Sequence, residues 1–205
     1  MKFIALILTV HASVAQADCP NPDALAQGGI YASFEGGNFT HYRHDDNGLV
    51  IETEHTRRFG PTYHIVSHHG VYKTKEGPLL PSGEVSKVDF VLIEYGIPDN
   101  ELPLPVAGLN WRGTNKLLYP ESPFQNASES TREEMHLSVK EQTTLNLGGC
   151  SLTVLPFTIH YEWPEYQNTR IHEGYYLPNY GITIARVDPI GPVTAIAISD
   201  KRPAN

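Results

Sequence analysis

Histidine is the side chain with the widest chemical reach in this sequence. Of ten histidines, nine lie beyond residue 18, at positions 41, 44, 55, 64, 68, 69, 136, 160 and 172. Neutral imidazole nitrogens suit zinc, copper or nickel, so what matters is which of them the chain can bring together. His64 and His68 share a strand face but stand two pleats apart, about 13 Å at strand rise, too far for one ion. An exposed polar face accounts better for the His64-x3-His68-His69 run. His136, His160 and His172 can meet only through strand pairing.

Other common chemistries leave no signature. There is no G-x-S-x-G elbow, HExxH, GxGxxG or phosphate-binding loop, so an enzyme is not the leading reading. Carboxylates are numerous, but assigning a general acid and base among them needs geometry. Glu52 and Glu54 alternate with Thr53 and His55 and read as a solvated strand face. Asp45 and Asp46 precede Asn47-Gly48 and read as a hairpin turn rather than as metal ligands.

The first residues indicate where this chain works. Lys2, the apolar run Phe3 to Val10 and Ala15-Gln16-Ala17 ahead of Asp18 have the pattern of a cleaved secretory signal, residues 1–17. Asp18 before Cys19 does not fit a lipobox, so lipid anchoring is not expected. The product is expected in the periplasm or secreted, and no later apolar run approaches the roughly 18 residues of a helical span. In an oxidising compartment the only two cysteines, Cys19 and Cys150, are expected to form a disulfide. The formal net charge is −8 and becomes more negative when Lys2 leaves. Nucleic acid and anionic membrane surfaces are poor partners for such a chain.

The elements that must position these residues are strands. From Gly28 onward apolar and polar residues alternate between closely spaced turns, the mark of an antiparallel meander. Residues 18–205 are long enough for one β-rich domain. The expected architecture is all-β and mainly antiparallel: a curved meander sheet, open half-barrel or sandwich with one long irregular central loop. Strands are predicted at Gly29 to Phe34, Phe39 to His44, Leu49 to Arg57, Tyr63 to His68, Val71 to Lys75 and Val85 to Tyr95. In the second half they are predicted at Thr131 to Leu147, Cys150 to Trp163, Thr169 to Leu177, Tyr180 to Val187 and Val193 to Ser199. Gly148-Gly149 supplies a two-residue hairpin turn. The apolar parity of Cys150 to Trp163 switches at Pro156, where a β-bulge explains both the missing amide and the change of face.

Two site expectations follow. Five prolines between residues 96 and 130 predict an irregular segment, whose apolar Trp111, Leu117, Leu118, Tyr119 and Phe124 could gate a hydrophobic ligand; a packed crossover covering the sheet end is the alternative. The second concerns register. A turn over Pro164 to Asn168, symmetric about Tyr166, sets His160 opposite His172 and Glu162 opposite Arg170. The Gly148-Gly149 turn with one bulge residue sets His136 opposite His160. His136, His160 and His172 would then form a row across three strands, able to take zinc or copper, or equally a solvated polar face.

The closing stretch Tyr175-Tyr176-Leu177-Pro178-Asn179-Tyr180-Gly181-Ile182-Thr183-Ile184, with the leader and the unbroken meander, resembles the periplasmic lipoprotein-carrier (LolA/LolB-like) proteins and uncharacterised exported proteobacterial families. The resemblance is architectural and implies a curved sheet in the envelope. It does not cover residues 96–130, and the helices that fill the concave face of the carriers have no counterpart here. The reading is therefore an exported, non-enzymatic binding protein of the cell envelope for a hydrophobic or lipid-like ligand. A histidine-based transition-metal binder and a structural or protein-partner module are the alternatives.

Overall fold

The computed structural model describes residues 19–120, 130–185, 187–188, 191–192 and 195–203. The leader read at 1–17 and the ligand candidate Phe124 lie outside the described residues. The described residues are mainly antiparallel β, as their alternation predicts. The first half carries one α-helical turn, α1 (Ala24–Gln27), and the strands β1 (Ile30–Ser33), β2 (Phe39–His44), β3 (Val50–Thr56), β4 (Gly60–His68), β5 (Tyr72–Pro78), β6 (Val91–Tyr95) and β7 (Asn110–Leu118). The second half carries β8 (Ser130–Val139), β9 (Thr143–Leu147), β10 (Cys150–Trp163), β11 (Asn168–Leu177), β12 (Ile182–Ala185), the short pair β13 (Val187–Asp188) and β14 (Gly191–Pro192), and β15 (Ala197–Ser199). Thirteen strands form one open sheet in the order β12-β11-β10-β8-β7-β6-β5-β4-β3-β2-β1-β15, with β9 beside the start of β10.

This sheet curls until strands far apart in its order share a core. Leu25, Ile30, Ala32, Tyr42 and Val50 from one end pack with Leu152, Val154, Leu177, Ile182 and Ile184 from the other. Two glycines allow the closest approaches. Gly70, at φ 64°, lies so near the start of β12 that a Cβ there would meet the Gly181 carbonyl oxygen at 2.5 Å, and Thr183 Oγ1 donates to the Gly70 carbonyl at 2.8 Å. Gly148, in the β9–β10 turn, leaves only enough room for Ala197 of β15. The Cys19–Cys150 disulfide, with Cα atoms 5.4 Å apart, and a hydrogen bond from the Tyr180 hydroxyl to the Pro20 carbonyl fasten the start of the described chain to this closure.

β10 carries the expected bulge. Its first residues pair with β9 (Cys150 with Leu147, Val154 with Thr143) and its later ones with β8 at a register displaced by one residue (Phe157 with Val139, Glu162 with Glu134). Val154 and Leu155 are consecutive buried residues at the switch, as an inserted residue requires.

Four expectations are corrected. Residues 96–130 are not irregular throughout: β7 runs nine residues through their middle and pairs fully with β8. The irregular part, 96–109, crosses the concave face with Leu102 buried against Tyr72, Trp111 and Leu137. Val85 to Tyr95 yields a strand only from Val91, and Val88 is exposed. Thr131 to Leu147 divides at residues 140–142, where Lys140 turns its amide to the Pro156 carbonyl. Finally, the turn after β10 spans four residues, not five: a 3-10 turn, Pro164–Tyr166, closes on Gln167 in the left-handed conformation at φ 49°. Asn168 therefore already pairs with Trp163.

The disulfide constrains a separation of 131 residues, for which loop-closure entropy predicts a contribution of about 4–5 kcal/mol to stability. Reduction, or Cys150→Ser, is expected to lower stability by about 2–5 kcal/mol in denaturant unfolding; an unchanged midpoint would show that the curl holds without it.

Candidate functional site

The two cores do not fill the whole concave face. Between β2 to β5 on one wall and β10 and β11 on the other lies a cavity of about 760 Å³ that opens to solvent. Strand parity decides what lines it. On β3, Val50 packs into the core, and the next residues of the same face, Glu52 and Glu54, turn into the cavity. β4 contributes Tyr63 and Ile65, and β2 contributes Thr40 and Tyr42. Opposite stand Phe157, Ile159 and Tyr161 of β10, with Arg170 and His172 of β11.

β5 supplies a lysine and a glutamate through an irregularity. Ser67 pairs with Lys73 but Val66 pairs with Lys75, leaving Thr74 as an extra residue. A bulge of this kind reverses side-chain parity, which turns both Lys73 and Glu76 inward. Their ion pair, 2.7 Å long, lies in the cavity wall with the side chains 27% and 23% exposed. Burial opposes the Lys73 charge, but Glu76, Tyr161 and Glu52 more than offset it and the ammonium pKa rises.

Glu52 is differently placed. Burial, reinforced by the neighbouring Glu54 and Glu76 charges and opposed by Lys73, pushes its carboxyl up to about 8. Burial thus favours its protonated form at neutral pH. Glu133, on β8 deeper under the sheet, is also raised by burial; Asn115 Nδ2 donates to its Oε1 at 3.0 Å. The reading of Glu52 as part of a solvated face is therefore corrected. Glu54 is the exposed one of the pair, nearer the mouth.

The predicted ligand residues lie elsewhere. Trp111 packs edge-on against Tyr72, ring centroids 5.3 Å apart, and its ring covers Gly113. Leu117 is buried, and Leu118 and Tyr119 are partly buried where β7 ends. None of these four lines the cavity, because the 96–109 crossover already fills the concave face beside Trp111.

The histidine row forms only in part. His136 pairs with His160 across β8 and β10, and Glu134 with Glu162. His160, however, pairs with Ile171, while His172 pairs with Ile159 and Arg170 with Tyr161. The four-residue turn moves β11 by one position, and a one-residue slip sends every side chain to the other face. His172 thus enters the cavity, while His136 and His160 stay on the convex surface. There, His136 Nε2 contacts Asn110 Oδ1 at 2.6 Å and His160 Nδ1 contacts Glu162 Oε1 at 3.2 Å. Among the described residues no group of three or more His, Cys, Asp or Glu is arranged to hold a metal ion.

Sequence reasoning missed Lys73, Glu76, Tyr161 and Arg170. A usable signal was the β3 pattern Val50-x-Glu52-x-Glu54, in which an apolar face becomes acidic without leaving the face.

No protein family matches this chain, and no curated protein matches it. Among solved structures the chain is similar to the hypothetical lipoprotein YmcC from Escherichia coli K12. The two share 14% identity over 83% of this chain and 81% of that one, at a TM-score of 0.46.

Glu52 predicts a pH dependence whose sign follows from linkage. Its carboxyl binds its proton more tightly folded than unfolded, so its stabilising contribution is complete below about 4.5 and is lost as the pH rises through about 8. The thermal midpoint is expected to fall across that window in the wild type and to fall less in Glu52→Gln; parallel curves for the two proteins would contradict the assignment.

Proposed function

We propose that this chain is an exported binding protein of the cell envelope and that its ligand, an amphipathic small molecule, occupies the cavity between β2–β5 and β10–β11. The observation that carries this reading is the cavity itself. Its volume falls within the roughly 300–1,000 Å³ of small-molecule sites, and its lining is mixed, with Ile65, Phe157 and Ile159 beside Glu52, Glu54, Lys73, Glu76 and His172. Ile65, Phe157 and Ile159 offer contact to an apolar body, while Glu52, Lys73, Glu76 and Tyr161 offer hydrogen bonds and charge to a polar end. Export is supported by the pattern of residues 1–17 and by the Cys19–Cys150 disulfide, which persists in oxidising compartments. No helix of the described residues is long and apolar enough to cross a membrane.

The hydrophobic ligand expected from the sequence is thereby modified. A purely apolar molecule would strip water from Glu52, Lys73 and Glu76 without replacing its hydrogen bonds, and such desolvation is costly. The ligand needs a polar end.

The fluorescent probe N-phenyl-1-naphthylamine tests the site. It is expected to bind one molecule per chain with enhanced emission. His172→Trp, which places a bulky ring in the cavity from β11, is expected to weaken binding at least tenfold. Equal binding by a folded His172→Trp variant would remove the cavity from the account.

A further inference from the structure

On the convex face, away from the cavity, β8 and β10 set His136 directly opposite His160 and Glu134 directly opposite Glu162. Residues two apart on a strand share a face, so these four side chains form a two-by-two block. They line a hollow of about 290 Å³, open to solvent, together with Arg112 and Thr114 of β7 and Arg132 of β8. Arg132 Nη2 donates to Glu134 Oε1 at 2.7 Å, and Arg112 is exposed.

The contacts of the two imidazoles decide which ring nitrogens stay available. His136 Nε2 lies 2.6 Å from the amide oxygen Oδ1 of Asn110, and His160 Nδ1 lies 3.2 Å from Glu162 Oε1. An amide oxygen and a carboxylate only accept, so the nitrogens that face them carry the hydrogens. In the neutral rings this leaves His136 Nδ1 and His160 Nε2 as lone-pair donors. Histidines that ligate metals commonly give their other N–H to a carboxylate or carbonyl oxygen, which fixes the tautomer and the orientation of the ring. Both imidazoles of this pair already have such a partner.

We infer that His136 and His160 together bind one divalent transition-metal ion, copper(II) ahead of nickel and zinc, through Nδ1 of His136 and Nε2 of His160. The site lies on the face opposite the cavity and does not rest on the binding function proposed above. Directly opposite residues hold their Cβ atoms about 4.5–5.5 Å apart. Metal–imidazole bonds of about 2.0–2.1 Å bring two nitrogens on one ion to roughly 3 Å from each other, which neighbouring imidazoles reach by side-chain rotation. No third His, Cys, Asp or Glu completes the set among the described residues, so water fills the remaining positions. Two nitrogens with exchangeable oxygens suit the tetragonal copper(II) ion, which also stands highest in the affinity order of the divalent metals. Structural zinc sites, by contrast, take four protein ligands. The imidazoles bind as neutral ligands, and the charge of the ion eases the repulsion between Glu134 and Glu162, like charges placed directly opposite each other.

Calorimetric titration of the purified, tag-free chain with copper(II), nickel(II) and zinc(II) at neutral pH tests the site. Copper is expected to bind more tightly than nickel or zinc. His136→Gln and His160→Gln each remove one ligand from a partly exposed position outside the core and should leave the fold intact. Each is expected to weaken the tightest copper site about tenfold or more. Electron paramagnetic resonance of the one-to-one copper complex is expected to show two coupled imidazole nitrogens in the wild type and fewer in either variant. His44→Gln, on β2, is expected to change neither result. If the wild type binds no copper, if zinc binds at least as tightly, or if His160→Gln keeps the affinity or both coupled nitrogens, the assignment is wrong and the pair is a solvated polar contact.

Discussion

Curvature is the constraint on which the rest of this structure depends. Most of its strands have one face that must leave water, and there is no long helix among the described residues to cover it. The sheet meets that requirement by bending until β1–β3 pack against β9–β12, so that Leu25 and Val50 share a core with Val154 and Ile182. Backbone approaches at Gly70 and Gly148 permit the closure, and the Cys19–Cys150 link restrains it. A sheet that covers its own face this way cannot fill every part of the enclosed space with strand side chains alone. The 96–109 crossover fills one part with Leu102. The part between β2–β5 and β10–β11 stays open.

Charge at the open part has structural consequences of its own. Lys73 is tolerable in the wall because Glu76 meets it, and both face inward only because Thr74 is inserted between β4 and β5 contacts. At Glu52 burial outweighs the attraction of the same lysine and pushes the carboxyl up to about 8. Pairing and a raised pKa, two responses to a buried ionisable group, thus meet within one cavity. A cavity floor with these properties is poor as packing and serviceable as a recognition surface, which is the basis of the proposed function.

Legibility from sequence followed the strength of local signals. Phe39–His44 lies between glycine-bearing turns, and its bounds are those predicted. Gly148-Gly149 sets a two-residue turn, and the parity switch at Pro156 announced the bulge in β10; together they place His136 opposite His160. The turn after Trp163 had no comparable mark. Its left-handed residue is Gln167, not glycine, and the missing residue in the turn sends His172 into the cavity instead of beside His160. Thr74 likewise bulges without a glycine or proline to signal it, so the inward Lys73 and Glu76 could not be seen. β7 was hidden for the opposite reason, since the prolines that flank it made its surroundings read as loop. Within the candidate site, Glu52 was noticed and assigned to the wrong environment, because strand parity alone does not show whether a face is covered from across the fold.

The central claim, that the curled sheet encloses Glu52 in the open part of its concave face, is tested most directly by carbon NMR titration of the glutamate side chains. The account predicts a Glu52 midpoint near 8, above the ordinary carboxylate range. A Glu52 that titrates with the exposed glutamates would contradict it.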